Sequence, residues 1–151
     1  MDWETASIAR FILANTAATP YYHKMPENFM VPAVYFPAPT ATASGDSTST
    51  WALLRRWVVL FFVHETQDAI AMAQGAAEAL CERRCQIPLY NEQGAQLAEI
   101  MRLDDPSSNI IDTGAANLTL TWTSRRKYPK ATALPALTHE IHYNPKEAKN
   151  G

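Results

Sequence analysis

Residues 51–84 constrain the fold more than any other stretch. They open with the β-type run WALLRRWVVLFFVH and pass through Glu65-Thr66 into the helix-type run TQDAIAMAQGAAEALCERR. Residues 57–63 are all apolar or aromatic and rich in valine and phenylalanine, side chains that suit a buried, pleated strand. Polar alternation is missing, so this strand is expected to be covered on both faces. The next segment spaces Ile70, Ala73, Ala77, Leu80 and Cys81 three and four apart, one apolar stripe on a helix. Thr66 is the expected N-cap, Asp68 falls in the first turn, and Arg83 and Arg84 fall at the cation-favouring end. A central strand handing over to the helix that covers it is the organising unit.

A chain of 151 residues with 47% hydrophobic content and a formal charge of −2 has the material for one ordinary core. No apolar run approaches the roughly 18 residues a membrane span needs. The N-terminus MDWETASIAR starts acidic and is not read as a secretory signal. Cys81 and Cys85 lie four apart at a helix end, a spacing that suits neither an unstrained disulfide nor a complete metal site. They are read as reduced structural thiols in the cytoplasm.

Ile8, Phe11 and Ile12 share helical spacing, so a short N-terminal helix is expected, capped by Asp2 or Thr5. Residues 14–28 read as a connector broken by Pro20 and Pro26. Residues 31–36 (VPAVYF) are β-like, but Pro32 and Pro37 confine that strand to an edge or to the start of pairing. Residues 37–50 (PAPTATASGDSTST) hold nothing that fills a core. They read either as a mobile hairpin tip or as an arm that orders against a neighbour. The pair Arg55-Arg56 makes a bulge or a change of environment plausible in the long strand. Residues 86–90 lead into a polar turn at 91–94. Residues 95–103 fit a helix or a strand. Ile110-Ile111 suggest a short strand, and Gly114 a turn. Residues 117–124 (NLTLTWTS) are the cleanest strand, with Leu118, Leu120 and Trp122 alternating with threonines. Beyond Pro129 periodicity is weak, and a partly extended tail is expected.

Chemistry is less legible than architecture. His139, Glu140 and His142 lack the four-residue histidine spacing of zinc proteases, and no third ligand is evident. His64-Glu65 could form an acid/base pair but has no nucleophile beside it in the sequence. No glycine-rich phosphate loop or nucleophile elbow occurs. The expectation is therefore no catalytic residue, no cofactor and no metal. The basic clusters Arg55-Arg56, Arg83-Arg84 and Arg125-Arg126-Lys127 lack the interleaved aromatics of a nucleic-acid platform. Solvated faces or intersubunit salt bridges explain them better. Trp51, where the polar segment meets the strand, is either an interface anchor or locally packed. Surplus apolar surface, proline-marked edges, a small-residue segment and an unpatterned tail together favour assembly over catalysis.

The element order resembles that of the tail terminator (tail completion) proteins of long-tailed bacteriophages. The series is an N-terminal helix, a VYFP strand, a polar hairpin, a long apolar strand, a TQDA helix, an IPLYNEQG turn and a last LTLTWTSRRKY strand. The likeness spans residues 4–128. It implies an α+β fold: a small, mostly antiparallel sheet flanked by a long central helix and a short N-terminal helix in a single domain. It also implies that residues 95–103 form a strand. The division is then a terminator-like domain at 1–128 and a C-terminal extension at 129–151. The implied role is a homo-oligomeric ring, a hexamer, that caps the tail tube, stops its growth and meets the head-tail connector. The implied location is the head-proximal end of the virion tail, reached from the host cytoplasm. Neither membrane nor sequence-specific nucleic-acid binding is implied, although DNA would pass through the ring. The family offers no residue motif to transfer, so the interface residues come from this chain: Thr40, Thr42, Ser44, Asp46, Thr48, Trp51, Arg55, Arg56, Arg125, Arg126, Lys127 and Lys130. Alternatives are another neck or head-closure protein, a tail-tube subunit, or a small cytoplasmic enzyme.

Overall fold

A computed structural model describes residues 1–129. The chain runs α1 (Trp3–Ala14), β1 (Thr19–Tyr22), β2 (Ala33–Phe36), β3 (Thr40–Gly45), β4 (Thr50–Phe62), α2 (Thr66–Glu82), β5 (Gln86–Tyr90), β6 (Gln96–Arg102), β7 (Ser107–Asp112) and β8 (Ala115–Lys127). It is an α+β fold in a six-stranded sheet, ordered β1-β2-β4-β8-β7 with β3 also on β4, plus the β5-β6 pair. β1 and β2 are parallel, and every other pair is antiparallel. β4 and β8 form the spine, in unbroken register from Thr50↔Lys127 to Phe62↔Ala115.

The core lies on one side of that sheet. Trp57, Val59 and Phe61 of β4 alternate inward with Leu118, Leu120 and Trp122 of β8 and with Val34 and Phe36 of β2. α2 packs on β8, β7 and β4, and α1 packs on β5. α1 is capped by Asp2, whose carboxylate accepts the Thr5 N–H at 2.9 Å, and it buries Ile8 and Ile12. Ser7 of α1 accepts the Tyr90 N–H at 3.0 Å, which ties the helix to β5.

Several expectations change. Among the described residues, helices cover only one face of the long strand, and Val58, Leu60 and Phe62 on the other face are half-buried. On α2, Ala73 and Leu80 are buried as expected and Ile70 and Ala77 pack against the core half-buried, but Ala69 and Ala76 complete the buried stripe and Cys81 is exposed. Glu65 holds the N-cap position, and the Thr66 hydroxyl instead accepts the Gly114 N–H at 2.9 Å. β2 is interior, between β1 and β4, and not at an edge. Pro32 stands at its entry, the other expected place, and Pro37 just after it, so no ladder donor is lost. β1 lies inside the expected connector, whereas residues 95–103 contribute β6, as the resemblance implied.

Candidate assembly surface

The residues singled out from the sequence fall into three environments. The first is the ribbon where β3, β4 and β8 run beyond the helices. Thr40, Thr42 and Ser44 pair with Arg56, Leu54 and Ala52, which pair on their other side with Thr121, Thr123 and Arg125. Partners directly opposite share a face. Thr40, Thr42, Ser44, Arg56, Arg125 and Lys127 therefore gather on the face that carries no helix. All six are exposed.

That face continues into Leu54, Val58, Leu60 and Phe62 of β4, with Tyr35 of β2 beside Leu60. Leu54 is 48% exposed, and Phe29 from the β1–β2 connection covers only the Phe62 end, with ring centroids 5.3 Å apart. The β8 side of the same face presents Asn117, Thr119, Thr121 and Thr123, all half-buried. The result is an apolar stripe with threonines on one flank.

The second environment is the tip. Asp46 accepts the Thr50 hydroxyl at 2.9 Å and the Arg125 Nε–H at 3.2 Å. Ser47 backs the same turn, accepting the Thr50 N–H at 3.1 Å. Thr48 is exposed there, and Trp51 is half-buried between Gly45 and Arg126 in the register. Residues 37–50 are thus half of a hairpin, whose strand β3 exposes all six residues and, among the described residues, pairs on one side only. An unpaired strand edge is a ready template for another chain.

The third environment is internal. Arg55 is 8% exposed and donates to Asp2 at 2.6 Å and Glu4 at 3.0 Å, with its guanidinium 5.1 Å from the Trp122 ring centroid. Glu4 also accepts the Trp122 N–H at 3.1 Å and the Ser124 hydroxyl. Arg55 is therefore committed to holding α1 against the spine and is not free for a neighbour. Nothing in the sequence near Arg55 revealed this, because its partners lie some fifty residues upstream. Arg126 is exposed; Lys130 lies outside the described residues, as do His139, Glu140 and His142.

His64 and Glu65 are both exposed at the β4–α2 junction. Among the described residues, no three His, Cys, Asp or Glu side chains are grouped to hold a metal ion, and no helix is long and apolar enough to cross a membrane. Burial pushes the Cys85 thiol up, with the neighbouring Cys81 adding to the shift. An unionised buried thiol is a poor nucleophile, so Cys85 acts as core.

No protein-family model matches the chain. Among solved structures, a chain from the virion of a native gene transfer agent particle has a TM-score of 0.48 at 12% identity, covering 82% of this chain and 93% of that one. The uncharacterized protein YqbJ of Bacillus subtilis (strain 168) is 32% identical over 131 residues, 86% of this chain and 89% of YqbJ. The phage-like element PBSX protein XkdJ of the same organism is 31% identical over 137 residues, 91% of this chain and 93% of XkdJ. At that identity over nearly the full length of both, the chain belongs to the family of the phage-like element protein XkdJ.

Proposed function

We propose that this chain is a structural virion protein that closes a phage-type tail: a ring of copies caps the tail tube, stops its growth and offers a surface to the head connector. The observation that carries this reading is the sheet face that, among the described residues, has no helix layer, where an apolar β4 stripe meets a ribbon with an unpaired outer edge. A head-to-tail contact that repeats around an axis closes into a ring. The β3 edge and the exposed Arg56, Arg125, Arg126 and Lys127 supply backbone and charged contacts for such a seam. Kinship with a phage-like element protein supplies the setting.

The test is assembly of the purified chain with and without tail-tube protein, followed by native mass spectrometry and electron microscopy. A single closed ring, alone or on tube ends, with tubes of arrested length, is the expected result. Unlimited tubes from this chain alone would make it a tube subunit. Monomers under both conditions would overturn the assembly role.

A further inference from the structure

β8 has a second neighbour over only part of its length, since β7 pairs with it from Ala115 to Thr119 and stops. On the β4 side, the Tyr128 N–H donates to Ser49 and the Val63 N–H to Gly114, each at 2.9 Å. Even-numbered residues of β8 and odd-numbered residues of β4 therefore exchange backbone bonds, and the odd-numbered residues of β8 aim theirs away. Thr121 fits this phase, its carbonyl accepting the Asp104 N–H at 2.8 Å on the outer side. Past that contact, the outward groups of Thr123 and Arg125 have no backbone partner among the described residues. They border a cleft of about 690 Å³ whose lining includes Leu89, Ile100 and Trp122, with Ile100 64% exposed.

β3 has the matching edge. Because the odd-numbered residues of β4 serve β8, its even-numbered ones serve β2 and β3. The Thr19 N–H donates to Pro32 and the His23 N–H to Phe36, on the far side of β2, as this phase requires. Thr40, Thr42 and Ser44 therefore bond to β4. Ala41, Ala43 and Gly45 turn their backbone groups outward, where they have no backbone partner among the described residues. At these three positions the side chains face the helix side of the sheet, and none is larger than a methyl group.

The two edges suit each other in direction and in phase. β3 and β8 both run antiparallel to β4, so they run parallel to each other, and rotation about a ring axis along the strands keeps that sense. In a parallel pair the residues that exchange bonds carry side chains on opposite faces; in an antiparallel pair they share one. Ala41, Ala43 and Gly45 face the helix side, and Thr123 and Arg125 face the other, which is the parallel case. We infer that β3 of one copy of this chain adds in parallel to the β8 edge of the next copy, beside the cleft. Its two alanines then meet Ile100 and Trp122. Asp46, the one acid of the tip, comes level with the exposed Arg126 and Lys127 of that copy, an opposite charge for the seam. Ribbons joined this way around a ring close on themselves and leave neither edge open. This seam rests on the ring reading above and adds which edge meets which.

Cysteine cross-linking of the full chain, in a Cys81→Ser background, tests it. Thr42→Cys is combined in turn with Thr121→Cys, Thr123→Cys and Arg125→Cys, the same-face positions that a shift of register by two would exchange. Within one chain residues 42 and 123 lie two strands apart, about 10 Å. That exceeds the roughly 7 Å a disulfide spans, so a bond between them joins two copies. Oxidation by glutathione disulfide should carry at least one double variant up a ladder of covalent oligomers to the full ring. Mixing the matching single variants should stop at covalent dimers. Ala43→Pro removes an outward N–H and no bond to β4, so it should keep the urea midpoint and lose the rings. Rings seen by native mass spectrometry with none of the three cross-links would overturn this seam and leave the tail-closing role standing. Rings that persist in Ala43→Pro would do the same. Monomers under every condition, with tail-tube protein present or absent, would overturn both.

Discussion

The Arg55 guanidinium on the central strand and the Glu4 carboxylate on the first helix meet at 3.0 Å, and the same Glu4 oxygen accepts from Trp122 and Ser124 on β8. One carboxylate therefore fastens α1 to both spine strands. Removing one partner of such a pair leaves the other buried without compensation. Arg55→Met should destabilise the protein by about 3 kcal/mol, read as a fall in the urea midpoint at unchanged slope. Glu4→Leu in the Arg55→Met background should not restore full stability, because the buried Trp122 N–H and Ser124 hydroxyl then lose their acceptor, but the double variant should be less destabilised than the sum of the two singles. A double variant as unstable as the sum of the singles would show that the two residues act separately.

Gly114 fixes a second junction. Its φ is +70°, and a Cβ there would drive into the Val63 carbonyl of β4. Its own carbonyl accepts the Val63 N–H, and its N–H is held by Thr66 at the start of α2. Neither the left-handed backbone nor the close approach tolerates a side chain. Gly114→Ala should cost about 2 kcal/mol in chemical denaturation. Thr66→Val, which removes only the acceptor, should cost about 1 kcal/mol.

Local patterning made most of this fold readable, and tertiary templating hid the rest. β8 was visible because leucine and tryptophan alternate with threonine, and β4 because seven consecutive apolar residues have few other uses. β1 and β3 were not. TPYY contains a proline and no alternation, and TATASG has no large side chain; both are strands because β2 and β4 offer them a ladder. Arg55 looked like its neighbour Arg56, although one faces the core and the other solvent, since adjacent residues in a strand point opposite ways. Their separation became legible only once β4 had a phase. On α2, Ala73 and Leu80 were read correctly and Ile70 and Ala77 pack at the edge of the core, while Ala69, Ala76 and the exposed Cys81 were misjudged because alanine-rich helices give a weak stripe.

Asp2 gives the fold a pH dependence. Burial opposes its ionisation, but the Thr5 backbone N–H, the Arg55 guanidinium and the Thr5 hydroxyl together hold its carboxyl below the ordinary aspartate value. A depressed folded-state pKa means that the folded protein binds protons less readily than the unfolded chain. The resulting stability is fully present above the ordinary aspartate pKa of about 4 and disappears as pH falls through the lower folded value. Denaturation midpoints should drop on acidification below about pH 4, and Asp2→Asn should flatten part of that drop. The same acid slope in Asp2→Asn and the unmodified protein would remove Asp2 from the account.

The helix-free face makes a prediction that separates folding from assembly. Leu54 is 48% exposed and sits on that face between Thr42 and Thr123 in the register. A lysine there meets solvent in the lone chain, so Leu54→Lys should change unfolding free energy by less than about 0.5 kcal/mol. In a ring whose subunits bury the face, the same lysine would be taken out of water without an acid to meet it. Disrupting a buried hot-spot residue at the centre of an interface costs about 2 kcal/mol or more. Repeated at every seam, that should leave monomers where the unmodified protein forms rings, measured by native mass spectrometry at equal concentration. Gln74→Lys, exposed on α2 on the other side of the sheet, serves as the control and should leave the rings intact. If Leu54→Lys assembles as well as Gln74→Lys does, the subunits meet elsewhere and the helix-free face remains solvated.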